Sequence, residues 1–149
     1  MYKFISNFII QSQTTNLKTL SYPKDYLDLD VKFSFGMGTP ANISWASIHN
    51  NDIRNTKGII CVYLYYKKEN LLILAYGIME AFVGGNTWTK EVTENNATIA
   101  EYFENNSLKK PYRYGDSLVY KAYQPKIENE TVSFINHKNG EEIVAEKFE

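Results

Sequence analysis

The residues with the most specific potential chemistry lie in the stretch FSFGMGTPANISW, residues 33–45. Gly36 and Gly38 flank Met37, and Trp45 follows a short polar segment. Glycine allows backbone conformations and close approaches that other residues do not, so the pattern predicts a turn with the methionine at its tip. A flexible apolar side chain there, with a large aromatic behind it, indicates a loop that contacts something outside the domain.

The sequence contains no recognisable catalytic or metal-binding pattern. Its two histidines, His49 and His137, are predicted to lie in polar loops, and neither has the spacing of a zinc-ligand motif. Nucleophile-elbow and phosphate-loop patterns are absent. The single cysteine, Cys61, excludes an internal disulfide and a cysteine-based zinc cluster, and its apolar neighbours predict a buried residue. We therefore expect a binding module without metal or cofactor rather than an enzyme.

Composition limits the class of protein without selecting a partner. The chain has 149 residues, a formal net charge of −1 and a pI of about 6.1, whereas proteins held to nucleic acid mainly by charge are usually basic. Its 12 tyrosines suit cores, protein interfaces and base stacking equally well. No apolar run approaches the ~20 residues of a membrane span, and no secretory signal is evident. These features predict a cytoplasmic protein with no membrane association.

Periodicity predicts the elements that must position the loop and the tryptophan. Apolar residues at helical spacing predict a helix over residues 3–13. Alternation predicts strands at VKFSF and ISWASI, and two apolar runs separated by KKEN predict a central hairpin from IICVYLYY and LLILAYGI. The segment MEAFVGGNTW is predicted to be irregular.

The second half adds one helix and further strands. Thr98 and Glu101 form a capping-box pattern before a short helix, and a strand is predicted from about Leu118 to Tyr123. Residues 131–146 are predicted to form a hairpin with a type I′ turn at Asn139-Gly140. The fold class is therefore α+β, a single domain over residues 1–149 with helices flanking a twisted, mostly antiparallel sheet.

Several blocks taken together resemble one family. The blocks are VKFSFGMGTPANISW, KGIICVYLYYKKENLLILAYGI, the segment around Trp88, TIAEYF and KPYRYGDSLVYKAY. In this order they resemble the N-terminal DNA-recognition domain of McrB-type modification-dependent (type IV) restriction proteins. The resemblance runs from about Phe4 to about Tyr123 and does not cover the C-terminal hairpin.

The resemblance implies a function in host defence. Members of the family bind double-stranded DNA bearing a modified cytosine and flip that base into a pocket. For this chain we expect the base to be 5-methylcytosine. Full-length members continue into an AAA+ GTPase domain, which recruits a McrC-type nuclease. This chain ends before any Walker motif, so we expect neither GTPase nor nuclease activity from it.

The resemblance also implies roles for individual residues. Met37, with Gly36 and Gly38, matches the finger that fills the gap left by the flipped base, and Trp45 matches the platform beneath that base. Ile60, Leu64, Ile78 and Glu80 match positions around the pocket, where the Glu80 carboxylate could accept a hydrogen bond from the cytosine amino group. Met37 and Ile60 replace aromatic residues found in some relatives, which leaves open which modified cytosine is preferred.

Residues near the finger and one basic cluster are the candidates for contacts with the DNA backbone. Such contacts position a protein without specifying sequence. The candidates are Lys18, Lys32, Thr39, Asn42, Lys109, Lys110 and Arg113. Two alternatives stay open: a protein-interaction module that uses its tyrosine-rich surface, and a reader of unmodified or differently modified DNA on the same scaffold.

Overall fold

The computed structural model describes residues 1–51, 58–78, 90–138 and 140–143. The elements in chain order are α1 (Tyr2–Ser12), β1 (Asp25–Tyr26), β2 (Leu29–Ser34), β3 (Ile43–Asn50), β4 (Ile59–Tyr66), β5 (Leu71–Ile78), α2 (Lys90–Asn95), α3 (Ile99–Asn105), β6 (Leu118–Glu128), β7 (Thr131–Asn136) and β8 (Glu142–Ile143). None of the helices in these ranges is long and apolar enough to cross a bilayer.

The strands form one eight-stranded sheet in which spatial order follows chain order. Each neighbouring pair is antiparallel. Short connections join β1 to β2, β4 to β5 and β6 to β7, as antiparallel pairing allows, whereas α2 and α3 lie between β5 and β6. The predicted α+β class and the predicted central hairpin of β4 and β5 are therefore confirmed. The strand predicted at Leu118–Tyr123 exists but continues to Glu128.

Two apolar clusters cover opposite faces of the sheet because successive side chains of a strand point to opposite sides. On one face, α1 places Ile5, Phe8 and Ile9 against residues that include Phe33 and Tyr63. The other cluster contains residues of β3, β4, β5 and β6 together with those of α3. The face that carries α3 also carries the candidate site.

The N-terminus of α3 is fixed by the predicted capping box. The Glu101 amide donates to the Thr98 hydroxyl at 3.2 Å, and the Thr98 amide donates to the Glu101 carboxylate at 2.8 Å. Both bonds satisfy amides that have no partner within the helix. Ile99 and Phe103 are fully buried, so the cap and the apolar face together hold α3 against the sheet.

The C-terminal hairpin is present, but its predicted type I′ turn is wrong. The Asn136 amide donates to the Glu141 carbonyl at 2.7 Å, and the Gly140 amide donates to the Asn136 carbonyl at 2.8 Å. A two-residue turn at Asn139-Gly140 would instead pair Lys138 with Glu141. Asn139 itself lies outside the described residues. A two-residue turn with both φ angles positive occurs instead between β6 and β7, at Asn129 (49°) and Glu130 (63°). These φ angles are those of a type I′ turn, which matches the twist of the flanking strands.

Buried tyrosines make the stability of the fold sensitive to alkaline pH. Burial raises the pKa of Tyr22 to about 12, above its ordinary value of 10.0. Because the pKa is raised in the folded state, the stability contributed by the neutral Tyr22 hydroxyl is complete below pH 10. It is lost as the pH rises toward 12. We expect Tyr22→Phe to weaken the pH dependence of the free energy of unfolding in this window. Urea titrations at a series of alkaline pH values measure the free energy of unfolding. The same pH dependence in Tyr22→Phe and in the unsubstituted protein would contradict the raised pKa of Tyr22.

Candidate nucleic-acid interface

The loop between β2 and β3 has the predicted form, with Met37 at its tip. The Ala41 amide donates to the Phe35 carbonyl at 2.8 Å and closes the loop. Gly36 has a φ of +123°, and a Cβ there would collide with the backbone of Thr39 and Ala41. This position therefore requires glycine. The Met37 side chain is 94% exposed.

The base of this loop is anchored in the core. Phe35 is buried, and its ring lies 5.5 Å from the ring of Phe8 in α1 and 5.6 Å from that of Tyr22. Aromatic pairs at these centroid distances add to the stability gained by burial. The loop consequently presents an exposed apolar tip on a fixed support, and it is called the finger loop below.

A cleft of about 370 Å³ opens on the α3 face of the sheet. Its described lining residues come from β2 to β5 and from the connection before β6: Lys32, Trp45, Ser47, His49, Ile60, Val62, Leu64, Gly77, Tyr114 and Ser117. Trp45 pairs with Leu64, and Ser47 pairs with Val62, across β3 and β4. The strand register therefore places an indole, apolar side chains and a hydroxyl on one continuous floor.

Gly77 sets the depth of the cleft on the β5 side. It pairs with Ile60 in β4, and a Cβ added to it would lie 3.7 Å from Ile60, 3.8 Å from Val62 and 4.0 Å from the Ser117 hydroxyl. These are ordinary van der Waals distances, so a methyl group fits without displacing its neighbours. The missing side chain leaves space that a ligand can occupy.

Cations lie over aromatic rings at two places on the cleft wall. The Lys32 ammonium is 5.9 Å from the centre of the Trp45 ring, and the Arg113 guanidinium is 5.2 Å from that of Tyr114. The Tyr66 hydroxyl donates to the Arg113 carbonyl at 2.9 Å and fixes the segment that carries Tyr114. Both charges can contact a phosphate while the rings below contact a base.

The loop prediction for His49 is wrong, because this residue lies in β3 and lines the cleft. Its Nδ1 is 3.8 Å from the Asp30 carboxylate on β2. With its amide nitrogen facing Asp30, Asn51 donates to both carboxylate oxygens at 2.7 Å. His137 bonds through its ring to the Tyr102 hydroxyl of α3, and Cys61 is only partly buried in β4.

The structure brings together some of the predicted site residues. Trp45, Ile60, Leu64 and Lys32 line one cleft, and Thr39 and Asn42 are exposed in the finger loop. Ile78 ends β5 and pairs through its backbone with Ile59, whereas Glu80 and Trp88 lie outside the described residues.

The predicted backbone contacts separate into two regions. Lys18 is exposed in the connection between α1 and β1. Lys109 and Lys110 are exposed in the connection that also carries Arg113 and Tyr114, and neither is among the described residues that line the cleft. Within the described ranges, no group of three or more histidine, cysteine, aspartate or glutamate side chains could hold a metal ion.

Sequence reasoning missed six cleft residues: Ser47, His49, Val62, Gly77, Tyr114 and Ser117. The period of two along β3 and β4 could have identified Ser47 and Val62, since they share a face with Trp45 and Leu64. Tyr114 and Ser117 carry no such signal, because a loop after α3 brings them to the cleft.

A methyl group at Gly77 tests whether this space receives a ligand. Gly77→Ala is expected to leave the free energy of unfolding nearly unchanged and to lower ligand affinity by up to about tenfold, by occupying the floor. Thermal unfolding and equilibrium binding measure the two effects. A folded Gly77→Ala protein with unchanged affinity would show that the ligand does not reach Gly77.

The fold and this geometry define a class: an antiparallel α+β domain with a cleft of apolar floor and cationic rim beside an exposed apolar finger. No established family profile matches the sequence. Over 125 residues, 83% of its length, the chain is 37% identical to the type IV methyl-directed restriction enzyme EcoKMcrB subunit of Escherichia coli strain K12. The chain spans about a quarter of that relative, 27% of its length. It is a homologue of the N-terminal portion of this McrB subunit, which confirms the resemblance drawn from the sequence.

Proposed function

We propose that this chain recognises modified cytosine in double-stranded DNA by extruding the base into the cleft floored by Trp45. The observation that carries the proposal is the placement of Trp45, Ile60 and Leu64 in one cleft under the Lys32 ammonium. The relative is named as a methyl-directed restriction enzyme subunit, and we propose that the part homologous to this chain supplies recognition. We propose 5-methylcytosine as the preferred base.

The cleft chemistry suits an extruded methylated base. An indole provides a flat surface on which a base can stack. Ile60, Val62 and Leu64 provide an apolar environment for a methyl group, whereas the Ser47 and Ser117 hydroxyls can hydrogen-bond polar edges. We keep Glu80 as the proposed acceptor for the cytosine amino group and Ile78 as a proposed lining residue.

The finger loop has the properties needed to stabilise the extruded state. Removing a base from the stack costs a few kcal/mol and leaves a gap in the duplex. Met37 can enter such a gap as an apolar wedge, and Gly36 and Gly38 let the backbone approach closely. Lys32, Thr39 and Asn42 are the proposed phosphate contacts nearest to it, with Lys18, Lys109, Lys110 and Arg113 further out.

The proposed role of the chain is recognition alone. GTP hydrolysis by an AAA+ domain and DNA cleavage by a McrC-type nuclease are proposed for other parts of the system. In this arrangement the affinity of the recognition domain sets where the system acts, without catalysis or a cofactor at the cleft.

Binding to matched duplexes tests the proposal. Otherwise identical duplexes carry cytosine, 5-methylcytosine, 5-hydroxymethylcytosine, N4-methylcytosine or N6-methyladenine, and affinity is measured by gel shift. We expect the tightest binding to 5-methylcytosine. Equal affinity for all five duplexes would contradict modified-base recognition and would favour a reader of unmodified DNA.

Two further measurements test base extrusion and the protein-binding alternative. A 2-aminopurine beside the modified base should brighten on binding, and tight binding without brightening would argue against extrusion. Phosphate contacts give a steep fall of log affinity with log salt concentration. Absence of DNA binding at low salt would favour a protein-interaction module, for which Tyr112 (72% exposed) and Tyr120 (51% exposed) provide a surface.

A further inference from the structure

The connection between α1 and β1 carries an exposed leucine with a lysine on either side in the sequence. Leu20 is 93% exposed, nearly the same fraction as Met37 in the finger loop. Lys18 and Lys24 are exposed on either side of it. This segment, residues 18–24, is called the leucine loop below.

Hydrogen bonds hold the leucine loop in one conformation. The Gln11 side-chain amide donates to the carbonyls of Asn16 (2.9 Å) and Lys18 (2.8 Å). The Tyr22 hydroxyl donates to the Gln11 side-chain carbonyl at 3.1 Å, and the Tyr22 amide closes a turn onto the Thr19 carbonyl at 3.1 Å. Leu20 lies within that turn. Its exposure is therefore a property of a constrained loop rather than of a chain end.

The leucine loop and the finger loop are anchored on the same aromatic cluster. The Tyr22 ring lies 4.3 Å from that of Phe33 and 5.6 Å from that of Phe35. Phe35 is the residue that begins the finger loop. The relative positions of the two exposed apolar tips are consequently fixed through a shared core.

A second cleft, of about 430 Å³, lies between the leucine loop and the strands β2 and β3. Thr19, Leu20 and Lys24 line it from the leucine loop, and Asp30, Lys32 and His49 line it from β2 and β3. Lys32 and His49 also line the cleft that contains Trp45. The second cleft thus adjoins the proposed base cleft, and Lys32 lies between them.

We infer that the leucine loop is a second DNA-contacting element, which holds the duplex beside the extruded nucleotide. Lys24 contacts a backbone phosphate, and Leu20 contacts sugars and base edges in the groove. The strand entering the Trp45 cleft passes Lys32 and continues along the second cleft. This inference rests on the proposed function, and it adds two residues, Leu20 and Lys24, to the interface.

Charge distinguishes Leu20 from the other highly exposed leucine. Leu27, 78% exposed, lies in the turn between β1 and β2 directly beside Asp28. Carboxylates repel the DNA backbone, whereas the lysines beside Leu20 attract it. Leu27 lines neither of the two clefts described. Leu27 is therefore a matched control for an exposed leucine outside the interface.

The test compares two pairs of variants of the full chain on the 5-methylcytosine duplex. Leu20→Ser is expected to lower affinity about fivefold to tenfold, the range for partial burial of one leucine. Leu27→Ser is expected to bind like the unsubstituted protein. Lys24→Gln should reduce the magnitude of the slope of log affinity against log salt by about 0.9, the value for one phosphate contact. Lys3→Gln, on the exposed side of α1, should leave the slope unchanged.

The outcomes separate this inference from the proposed function. Thermal unfolding first establishes that each variant is folded. If the unsubstituted protein discriminates 5-methylcytosine while Leu20→Ser and Lys24→Gln bind as it does, the leucine loop lies outside the interface and the proposed function stands. Equal losses in Leu20→Ser and Leu27→Ser would also overturn the inference. If the unsubstituted protein binds no duplex, both the proposed function and the inference fail.

Discussion

Trp45→Ala is expected to lower the affinity for a 5-methylcytosine duplex by about 5-fold to 150-fold, because base–aromatic stacking contributes about 1–3 kcal/mol. The loss should fall mainly on the modified duplex. In the proposed complex, phosphate contacts hold an unmodified duplex without requiring the indole. The ratio of the two affinities should therefore approach one.

A conservative replacement separates stacking from packing at this position. Trp45 is partly buried and packs against the apolar cluster of the α3 face, so alanine also removes contacts that stabilise the fold. Trp45→Phe keeps a flat ring and should retain most of the discrimination. Equilibrium binding to both duplexes, with thermal unfolding of each variant, measures the effects. A folded Trp45→Ala protein that keeps affinity and discrimination would place the base elsewhere.

Local sequence patterns predicted the strands of the site well because each pattern reports burial of one strand on its own. Alternation in VKFSF and the apolar runs at residues 59–66 and 71–78 predicted β2, β4 and β5. The same period of two implied that Ile60 and Leu64 share a face. The finger loop was predicted from its glycines, and the structure shows that Gly36 is required by backbone contacts.

The rest of the cleft depends on contacts between distant segments, which no local pattern encodes. Gly77 faces Ile60 only because β4 and β5 pair in one register. Tyr114 reaches the cleft because α3 ends at Asn105 and the chain then turns back toward the sheet. The Tyr66 hydroxyl holds this segment by donating to the Arg113 carbonyl. His49 was assigned to a loop because polar residues surround it, but pairing with β2 extends β3 through Asn50. Tertiary pairing overrode local polarity in this case.

The turn error has a similar origin. Asn-Gly is the strongest local signal for a two-residue hairpin, yet the hydrogen bonds that join Asn136 to Gly140 and Glu141 give a different register. At Asn129 and Glu130 the pairing of Glu128 with Thr131 forces a two-residue connection. Asparagine tolerates a positive φ, and the neighbouring glutamate adopts one because strand register requires it. The pairing of β6 with β7 therefore determined the position of this two-residue turn, although the Asn-Gly pattern occurs elsewhere in the sequence.

Met37→Ala is expected to weaken binding to an intact 5-methylcytosine duplex by about tenfold, or about 1.4 kcal/mol. This loss is smaller than the few kcal/mol that unstacking a base step costs. In the proposed complex, the methionine side chain fills the space left by the extruded base. Alanine is too short to do so, and the partner base then loses stacking on that side. The 94% exposure of Met37 means that its removal should barely change the free energy of unfolding.

An abasic site opposite the modified cytosine isolates this role. Such a duplex has no partner base to support, and the modified base leaves the stack at lower cost. The same Met37→Ala substitution should then weaken binding by only about twofold, a residual loss of apolar contact. Met37→Leu, which retains a long apolar side chain, should bind both duplexes nearly as well as the unsubstituted protein. Equal weakening on the intact and abasic duplexes would show that Met37 contacts DNA without filling the gap, because only gap filling depends on the partner base.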